Sequence, residues 1–542
     1  MSIIRLGIAQ VRLTSRQAIV AIAILLVAGC FRLGVVHWLP NDSAGDSIGY
    51  EQIARNVLEH HVYSHLDEPP FTPTLVRLPG YPLFLAAIYA VFGHTNNTAV
   101  RIVQALLDTA TCALVAWLAF LWQPDQRKKI ATAIAALALA AVNPFTTIYC
   151  ATILTEVPST FLIVAACIAA TLAFRAEKPE RELRWWAISG LITGIGVLFR
   201  PDVGLVTASI GVFAMIKLFR RPAQRWPRSI LAAAALSAAF ILALAPWTIR
   251  NWRTLHVFQP LAPLNANMPG EFVPLGYYRW LKTWMTDGEY LDPLLWDLGK
   301  EPVDLEALPD SAFDSQAEHD RVEALFDKLY GFDSESEDAK PSSSPSPSPN
   351  QSASSNQANA NEEPEEPDED QPNSADNDQS TETHDLTPEI DAGFAQIARE
   401  RIARHPFRYY VLLPLRRAHA LWFNTHSDFY PFSGNALPLM SSENTRAENF
   451  WLPIFAVLVG IYTVLGVGGL VLLTMYGGFE QRALVLLVAL IFITRLTLFS
   501  MAVSVEPRYV VEFFPILAAT GAIAMIRLLN KLRKQNVSEA RP

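Results

Sequence analysis

Apolar runs of about 20 residues recur along most of this chain, and that length at 1.5 Å rise per residue crosses the hydrocarbon core of a bilayer. Ten such runs are read: 17–39, 98–122, 130–149, 156–174, 185–199, 203–219, 229–249, 451–475, 483–503 and 509–529. The run 185–199 is short and carries Gly190, Gly194 and Gly196, small residues that permit close helix packing. The expected fold class is an all-α polytopic membrane protein with about ten transmembrane helices. Juxtamembrane helices are expected in its first outer loop, together with a large, partly disordered outer segment.

Charge is distributed unevenly. The 542 residues are 51% hydrophobic and 18% charged, with a formal charge of −9. Residues 287–391 hold 30 acids and 4 bases, while the remainder holds 22 acids and 39 bases, a net of +17. A uniformly acidic soluble enzyme is excluded. The four cysteines, Cys30, Cys112, Cys150 and Cys167, lie in or beside apolar runs without CxxC spacing and read as small apolar fillers.

Basic residues set the orientation. Arg5, Arg12 and Arg16 precede the first run, and Arg127, Lys128 and Lys129 follow the second. Arg175, Lys178, Arg181 and Arg184 follow the fourth; Lys217, Arg220, Arg221, Arg225 and Arg228 flank the end of the sixth; Arg527, Lys531, Arg533 and Lys534 flank the end of the tenth. With ten crossings all of these fall on one side, so the positive-inside rule predicts cytoplasmic termini and outer segments 40–97 and 250–450. Leu26–Cys30 looks like a lipoprotein cleavage site, but the apolar run continues through Leu39, which favours an uncleaved span.

Three regions follow: a membrane module 1–250 with seven spans, an outer segment 251–450 and a C-terminal membrane module 451–542 with three. Within the outer segment, 334–387 is rich in Ser, Pro, Asn, Gln and acids and lacks the apolar residues to offset ordering entropy, so it is expected to be disordered. Its flanks differ: Val322, Leu325, Phe326 and Leu329 share one helical face, and Ile390, Phe394, Ile397 and Ile402 another. In the first outer loop Tyr50, Ile53, Ala54, Val57 and Leu58 follow helical spacing, and 82–92 is apolar but too short to span. Two surface helices joined through Arg77–Pro82 are expected there.

That loop carries an ordered set of motifs: Asp46-x3-Tyr50-x3-Ala54, Arg77-x-Pro79-Gly80-Tyr81-Pro82-x-Phe84-Leu85, Tyr89, Phe92-Gly93 and Arg101-x2-Gln104. Downstream come Leu154-Thr155-Glu156, Phe199-Arg200-Pro201 and Arg508-Tyr509. Together they resemble the GT-C integral-membrane glycosyltransferases, in the branch of protein O-mannosyltransferases and lipid A aminoarabinose transferases. The resemblance covers roughly 17–260, is thinner over 400–530 and is absent from 270–400. It implies a polyprenyl-phosphate-linked sugar donor, transfer on the outer membrane face, and a glycan, lipid or protein acceptor. Asp46 matches the acceptor-side carboxylate, Arg77 the basic residue near the donor phosphate, and Glu156 an acidic position at the outer end of the fourth span. The first loop has Asp46-Ser47 where protein O-mannosyltransferases have adjacent Asp-Glu, a departure that bears on the acceptor.

The chemistry can be stated without the family. No phosphate-binding P-loop is present, and nothing points to nucleic acid. Sugar transfer to a hydroxyl needs a base and positive charge on the departing phosphate, and arginine can supply the latter without a metal. Asp46 and Glu156 are the candidate catalytic carboxylates, with Asp42 as a reserve base. Arg77, Arg200 and Arg508 are the candidate phosphate ligands, and Tyr50 and Tyr81 lie close in sequence. Each has a structural alternative: Asp46 and Glu156 as helix caps, and the arginines as interfacial contacts. His60, His61 and His65 read as loop histidines. Asp108 and Arg495 are intramembrane charges whose partners the sequence does not identify. A transporter or lipid-linked glycan flippase, with those two charges on its path, is the rival reading.

Overall fold

The computed structural model describes residues 3–6, 9–40, 45–216, 222–286, 288–332, 385–434 and 445–539. Asp42 lies outside the described residues, as do residues 334–384 of the expected disordered stretch. Among the described residues the chain is helical apart from a two-stranded antiparallel hairpin, Ile3–Leu6 with Ala9–Arg12.

Two compact units are present, one built from 1–273, 286–288 and 407–542, the other from 274–285 and 289–406. The first opens with α1 (Ser15–Trp38), started by a capping box in which Thr14 and Gln17 satisfy each other's backbone N–H. The first outer loop forms α2 (Asp46–Glu59) and α3 (Gly80–Phe92). Next come α4 (Asn97–Trp122), α5 (Lys129–Ala141) and the short α6 (Pro144–Thr147). The expected single run 130–149 is thus a bent pair with an angle of 52°. Pro144 cannot continue the α5 ladder, and Asn143 caps the new turn by accepting from the Phe145 N–H at 2.9 Å.

The chain continues through α7 (Glu156–Arg175), α8 (Pro179–Phe199), α9 (Val203–Met215) and α10 (Pro222–Leu255). The three glycines of α8 explain its close packing. A Cβ at Gly194 would stand 2.7 Å from the Phe240 carbonyl of α10, and one at Gly190 would overlap the Leu236 backbone. Among the described residues seven helices are long and apolar enough to cross a membrane, or eight counting the bent pair. The 13 residues of α9 reach about 20 Å, short of a bilayer core, and 217–221 beyond it lie outside the described residues.

The second unit consists of α11 (Leu275–Leu281), α12 (Gln316–Tyr330) and α13 (Pro388–Arg404) around an aromatic core of Tyr277, Trp280, Phe326 and Phe394. The two helical faces expected in this flank are the faces that pack, apart from the partly exposed Leu325 and Ile402. Arg401 pairs with Glu318 in its interior, and Arg404 reaches the same carboxylate at 2.6 Å.

The first unit closes with α14 (Leu413–Phe423), α15 (Arg446–Tyr476), α16 (Phe479–Ser500) and α17 (Phe513–Glu539). Its interior is continuous, joining Trp122 of α4, Phe145 of α6, Ile163 of α7, Phe213 of α9 and Ile516 of α17. Ile19, Leu26, Leu242, Val464 and Ile493 are exposed on its helices. Such surface is costly in water and ordinary in lipid. The long apolar helices and this exposed surface make the chain an integral membrane protein.

Candidate active site

Arg77 is held in place from both sides. Leu75 and Leu78 are buried beside Ile53 of α2 and Trp247 of α10, which leaves Arg77 between them half-exposed. The Tyr63 hydroxyl donates to the Arg77 carbonyl at 3.1 Å, and Arg250 of α10 donates to the Thr74 carbonyl at 2.7 Å. Gly80 lets the start of α3 close on α8, since a Cβ there would stand 2.6 Å from the Leu198 carbonyl.

Asp46 occupies the first position of α2. The N-cap is Gly45, at φ 56°, and the helix start has no side-chain cap. The Asp46 carboxylate instead meets Arg77 Nη2 at 2.7 Å through Oδ1 and accepts from Arg508 Nη2 at 2.9 Å through Oδ2. Burial pushes the Asp46 carboxyl up, but the guanidiniums of Arg77 and Arg508 together outweigh this and hold it below its ordinary value. Arg508 also pairs with Glu506 at 2.6 Å. Glu506 accepts from Ser504 at 2.6 Å and from the Tyr509 hydroxyl at 2.5 Å. This cluster remains open: side-chain exposure is 23% for Asp46 and 15% for Arg508.

Tyr50 lies one turn along α2, with Arg77 5.7 Å from its ring centre and Tyr81 edge-on at 5.1 Å. Burial and the Asp46 carboxylate push its hydroxyl up to about 12, so it stays protonated at neutral pH. Tyr81 is fully buried and donates to Gln104 Oε1 at 2.8 Å, while Gln104 donates to the Thr152 carbonyl at 2.7 Å. This gives Tyr81 and the Arg101-x2-Gln104 motif a place in fixing α3 and α4.

Glu156 and Arg200 form a second, buried tier. Arg200 Nη1 meets Glu156 Oε1 at 2.7 Å, and Arg200 Nε meets Asp202 at 3.2 Å and Glu512 at 3.5 Å. Arg495 of α16 completes it, pairing with Asp202 at 2.5 Å and Glu512 at 3.1 Å. Ser159 of α7 donates to Glu512 at 3.2 Å. Three carboxylates and two guanidiniums thus share one interior network, which ties α7, the α8–α9 turn, α16 and the start of α17 together. The Tyr509 ring joins the tiers, with Arg200 at 5.7 Å and Arg508 at 5.6 Å from its centre.

Asp108 pairs elsewhere. Arg32 of α1 donates to it at 2.7 Å and also to the carbonyls of Ala28, Ala140 and Ala141. Arg32, Asp202, Glu506 and Glu512 were missed as functional candidates. Glu506 and Glu512 flank the Arg508-Tyr509 motif, and Arg32, a charge inside the apolar run 17–39, carries the same intramembrane signal as Asp108 and Arg495.

The family model for dolichyl-phosphate-mannose-protein mannosyltransferase matches residues 70–249. This stretch contains Arg77, Glu156 and Arg200. A comparison with curated proteins gives no match. Among solved structures, the archaeal oligosaccharyltransferase AglB from Archaeoglobus fulgidus, in complex with an inhibitory peptide and a dolichol-phosphate, aligns with a TM-score of 0.49 at 13% identity. The alignment covers 97% of this chain and 52% of AglB, so the chain spans about half the length of that protein. ArnT from Cupriavidus metallidurans, bound to undecaprenyl phosphate, aligns with a TM-score of 0.36 at 11% identity, covering 95% of this chain and 79% of ArnT. Residues 70–249, the stretch that runs from the loop after α2 into α10, are thus similar to that mannosyltransferase family.

Proposed function

We propose that this protein transfers a sugar from a polyprenyl-phosphate-linked donor to an acceptor hydroxyl at the outer face of a bacterial inner membrane, both termini being cytoplasmic. The observation that carries the reading is the clasp of one partly open carboxylate, Asp46, by two guanidiniums, Arg77 and Arg508. A base and a phosphate-binding pair thereby stand within one hydrogen bond of each other, the two parts that this transfer requires.

Asp46 is ionised at neutral pH but weakly basic while both arginines hold it. A donor phosphate competes for the guanidinium N–H groups, and as they turn to it the carboxylate regains basicity. The acceptor oxygen then attacks the anomeric carbon from the side opposite the phosphate. The bond between that carbon and the phosphate oxygen breaks, its electron pair leaves with the polyprenyl phosphate, and the hydroxyl proton passes to Asp46. A single displacement of this kind inverts the anomeric centre.

Glu156 and Arg200, 2% and 7% exposed, have the burial of positioning residues. In this reading their network fixes the segment that presents Arg508. Tyr50 supplies a ring face to Arg77, and no metal enters the step. The pairing of Asp108 with Arg32, and of Arg495 with Asp202 and Glu512, gives both intramembrane charges a structural role and weighs against the transport reading.

The test is to quantify lipid-linked sugars by mass spectrometry in cells with the wild-type gene, a deletion and the Asp46→Asn variant. Equal accumulation of one polyprenyl-phosphate sugar in the deletion and the variant supports the reading. No change in any lipid-linked sugar in either strain overturns it.

A further inference from the structure

The loop that leaves α14 buries its first half and exposes its tip. Thr425, His426 and Ser427 have almost no solvent contact. The Thr425 and Ser427 hydroxyls stand 2.8 Å apart, and the His426 ring is edge-on to Phe145 and Phe514. Past the tip, the Tyr430 N–H donates back to the Ser427 carbonyl at 2.8 Å and the Tyr430 hydroxyl reaches the Pro144 carbonyl at 3.2 Å. Between these two anchors Asp428 and Phe429 are exposed. A loop fastened on both sides holds such a pair in a fixed geometry, as recognition requires.

The pair stands beside the Asp46 cluster. Phe429 packs edge-on to Tyr149 at 5.5 Å, and the charges that act on Tyr149 are Glu156, Asp428, Arg508 and Glu506. Glu506 and Arg508 are also the charged groups that act on Asp428. Crowding by the protein, followed by the Glu506 charge, pushes the Asp428 carboxyl up to about 6 against the pull of Arg508. Asp428 is thus crowded by protein and yet open to water, the setting of a side chain on the wall of a recess.

The geometry points to a carbohydrate acceptor subsite on Asp428 and Phe429, with Glu506 on its inner side. A pyranose ring has an apolar C–H face, which packs on an aromatic ring, and a rim of hydroxyls, which donate to carboxylates. Phe429 and Asp428 supply these two parts from adjacent positions, next to the carboxylate assigned as base. An extended peptide acceptor is instead bound through its backbone at a sheet edge in one common mode, and the described residues form no sheet beyond the hairpin at 3–12. The subsite's role as acceptor site rests on the transfer reading; its binding of sugar does not.

The experiment uses the full chain, purified in a detergent without a sugar headgroup. Saturation-transfer NMR reads the binding of methyl α-mannopyranoside and methyl β-glucopyranoside, with glycerol as the control for unspecific contact. Wild type is expected to bind at least one glycoside and not glycerol. Asp428→Ala and Phe429→Ala, both at exposed positions, are each expected to weaken that binding about tenfold at an unchanged melting temperature. Absence of binding by both glycosides overturns the carbohydrate assignment. Undiminished binding in either variant overturns the part given to that residue. Displacement of the glycoside by polyprenyl-phosphate mannose overturns the acceptor assignment and makes these residues part of the donor-sugar site. Binding of a serine-containing peptide in place of either glycoside, lost in Phe429→Ala, overturns it in favour of a protein acceptor. If lipid-linked sugars are unchanged in the deletion strain while both variants lose glycoside binding, the transfer reading falls and the sugar site stands.

Discussion

Asp46 and Arg508 stand 462 positions apart in the chain and 2.9 Å apart in space, a carboxylate from the first outer loop on a guanidinium from the turn before the last helix. Two segments remote in sequence thus meet in one cluster. The clasp leaves the carboxylate partly exposed and holds its pKa down through charge, against the upward push of burial.

If Asp46 is the base, Asp46→Asn abolishes transfer by about 10²-fold or more. Asp108→Asn, deep in the α1–α4 pair, leaves the buried Arg32 without its counter-ion and lowers stability, but activity per folded molecule is expected to be kept. Product formation from a polyprenyl-phosphate sugar, measured for both purified variants, checks the contrast. Loss with Asp108→Asn and retention with Asp46→Asn favours transport instead.

Arg508→Gln removes one of the two charges proposed for the donor phosphate. A charge-assisted hydrogen bond contributes about 1.5–3 kcal/mol, so the KM for the donor is expected to rise about tenfold or more. The same substitution relieves the downward pull on Asp46. The acid limb of the pH–activity profile therefore moves to higher pH, which a loss of folding alone does not produce.

Arg495→Leu leaves Asp202 and Glu512 in the interior without one of their two guanidiniums. Removing one partner of a buried ion pair costs about 3–5 kcal/mol. A lowered melting temperature of the solubilised protein is expected, with activity falling in proportion to the folded fraction.

Gly194→Leu forces α8 away from α10, because even a Cβ there meets Ala243 at 2.7 Å. Overpacking of this kind costs about 1–3 kcal/mol. Limited proteolysis of membrane-embedded protein is expected to reveal new cleavage in the connections flanking these helices, while Gly211→Ala, where a Cβ has ordinary contact distance, leaves the pattern unchanged.

His426 gives the pH signature. It is 2% exposed, edge-on to Phe145 and Phe514, and burial lowers its pKa from 6.5 to about 4. The unfolded chain takes up a proton near pH 6.5 that the folded one refuses until about 4. Its stabilising contribution is therefore full above 6.5 and declines as pH falls through that window, by up to about 3 kcal/mol. Melting temperatures at pH 7.5 and 4.5 check this: wild type should lose more than His426→Asn.

The sequence by itself determined the helices and the solvent they live in. The break at Pro144 inside the run 130–149 was not read from it, whereas apolar runs of membrane length are local properties of consecutive residues. The surface helices of the first loop were legible for the same reason, as were Asp46, Arg77 and Arg508 as the residues to watch. Where local reading stopped, it stopped for a physical cause: an ion pair depends on distance in space, and apolar periodicity does not encode which charges meet. Only the tertiary structure put Arg32 on Asp108 and Arg495 on Asp202 and Glu512, buried Glu156 and Arg200 together, and closed Arg77 and Arg508 on opposite oxygens of Asp46. The charges were visible in the chain, but their pairing came from packing, because in a low-dielectric interior each must find its partner across helices that the sequence keeps far apart.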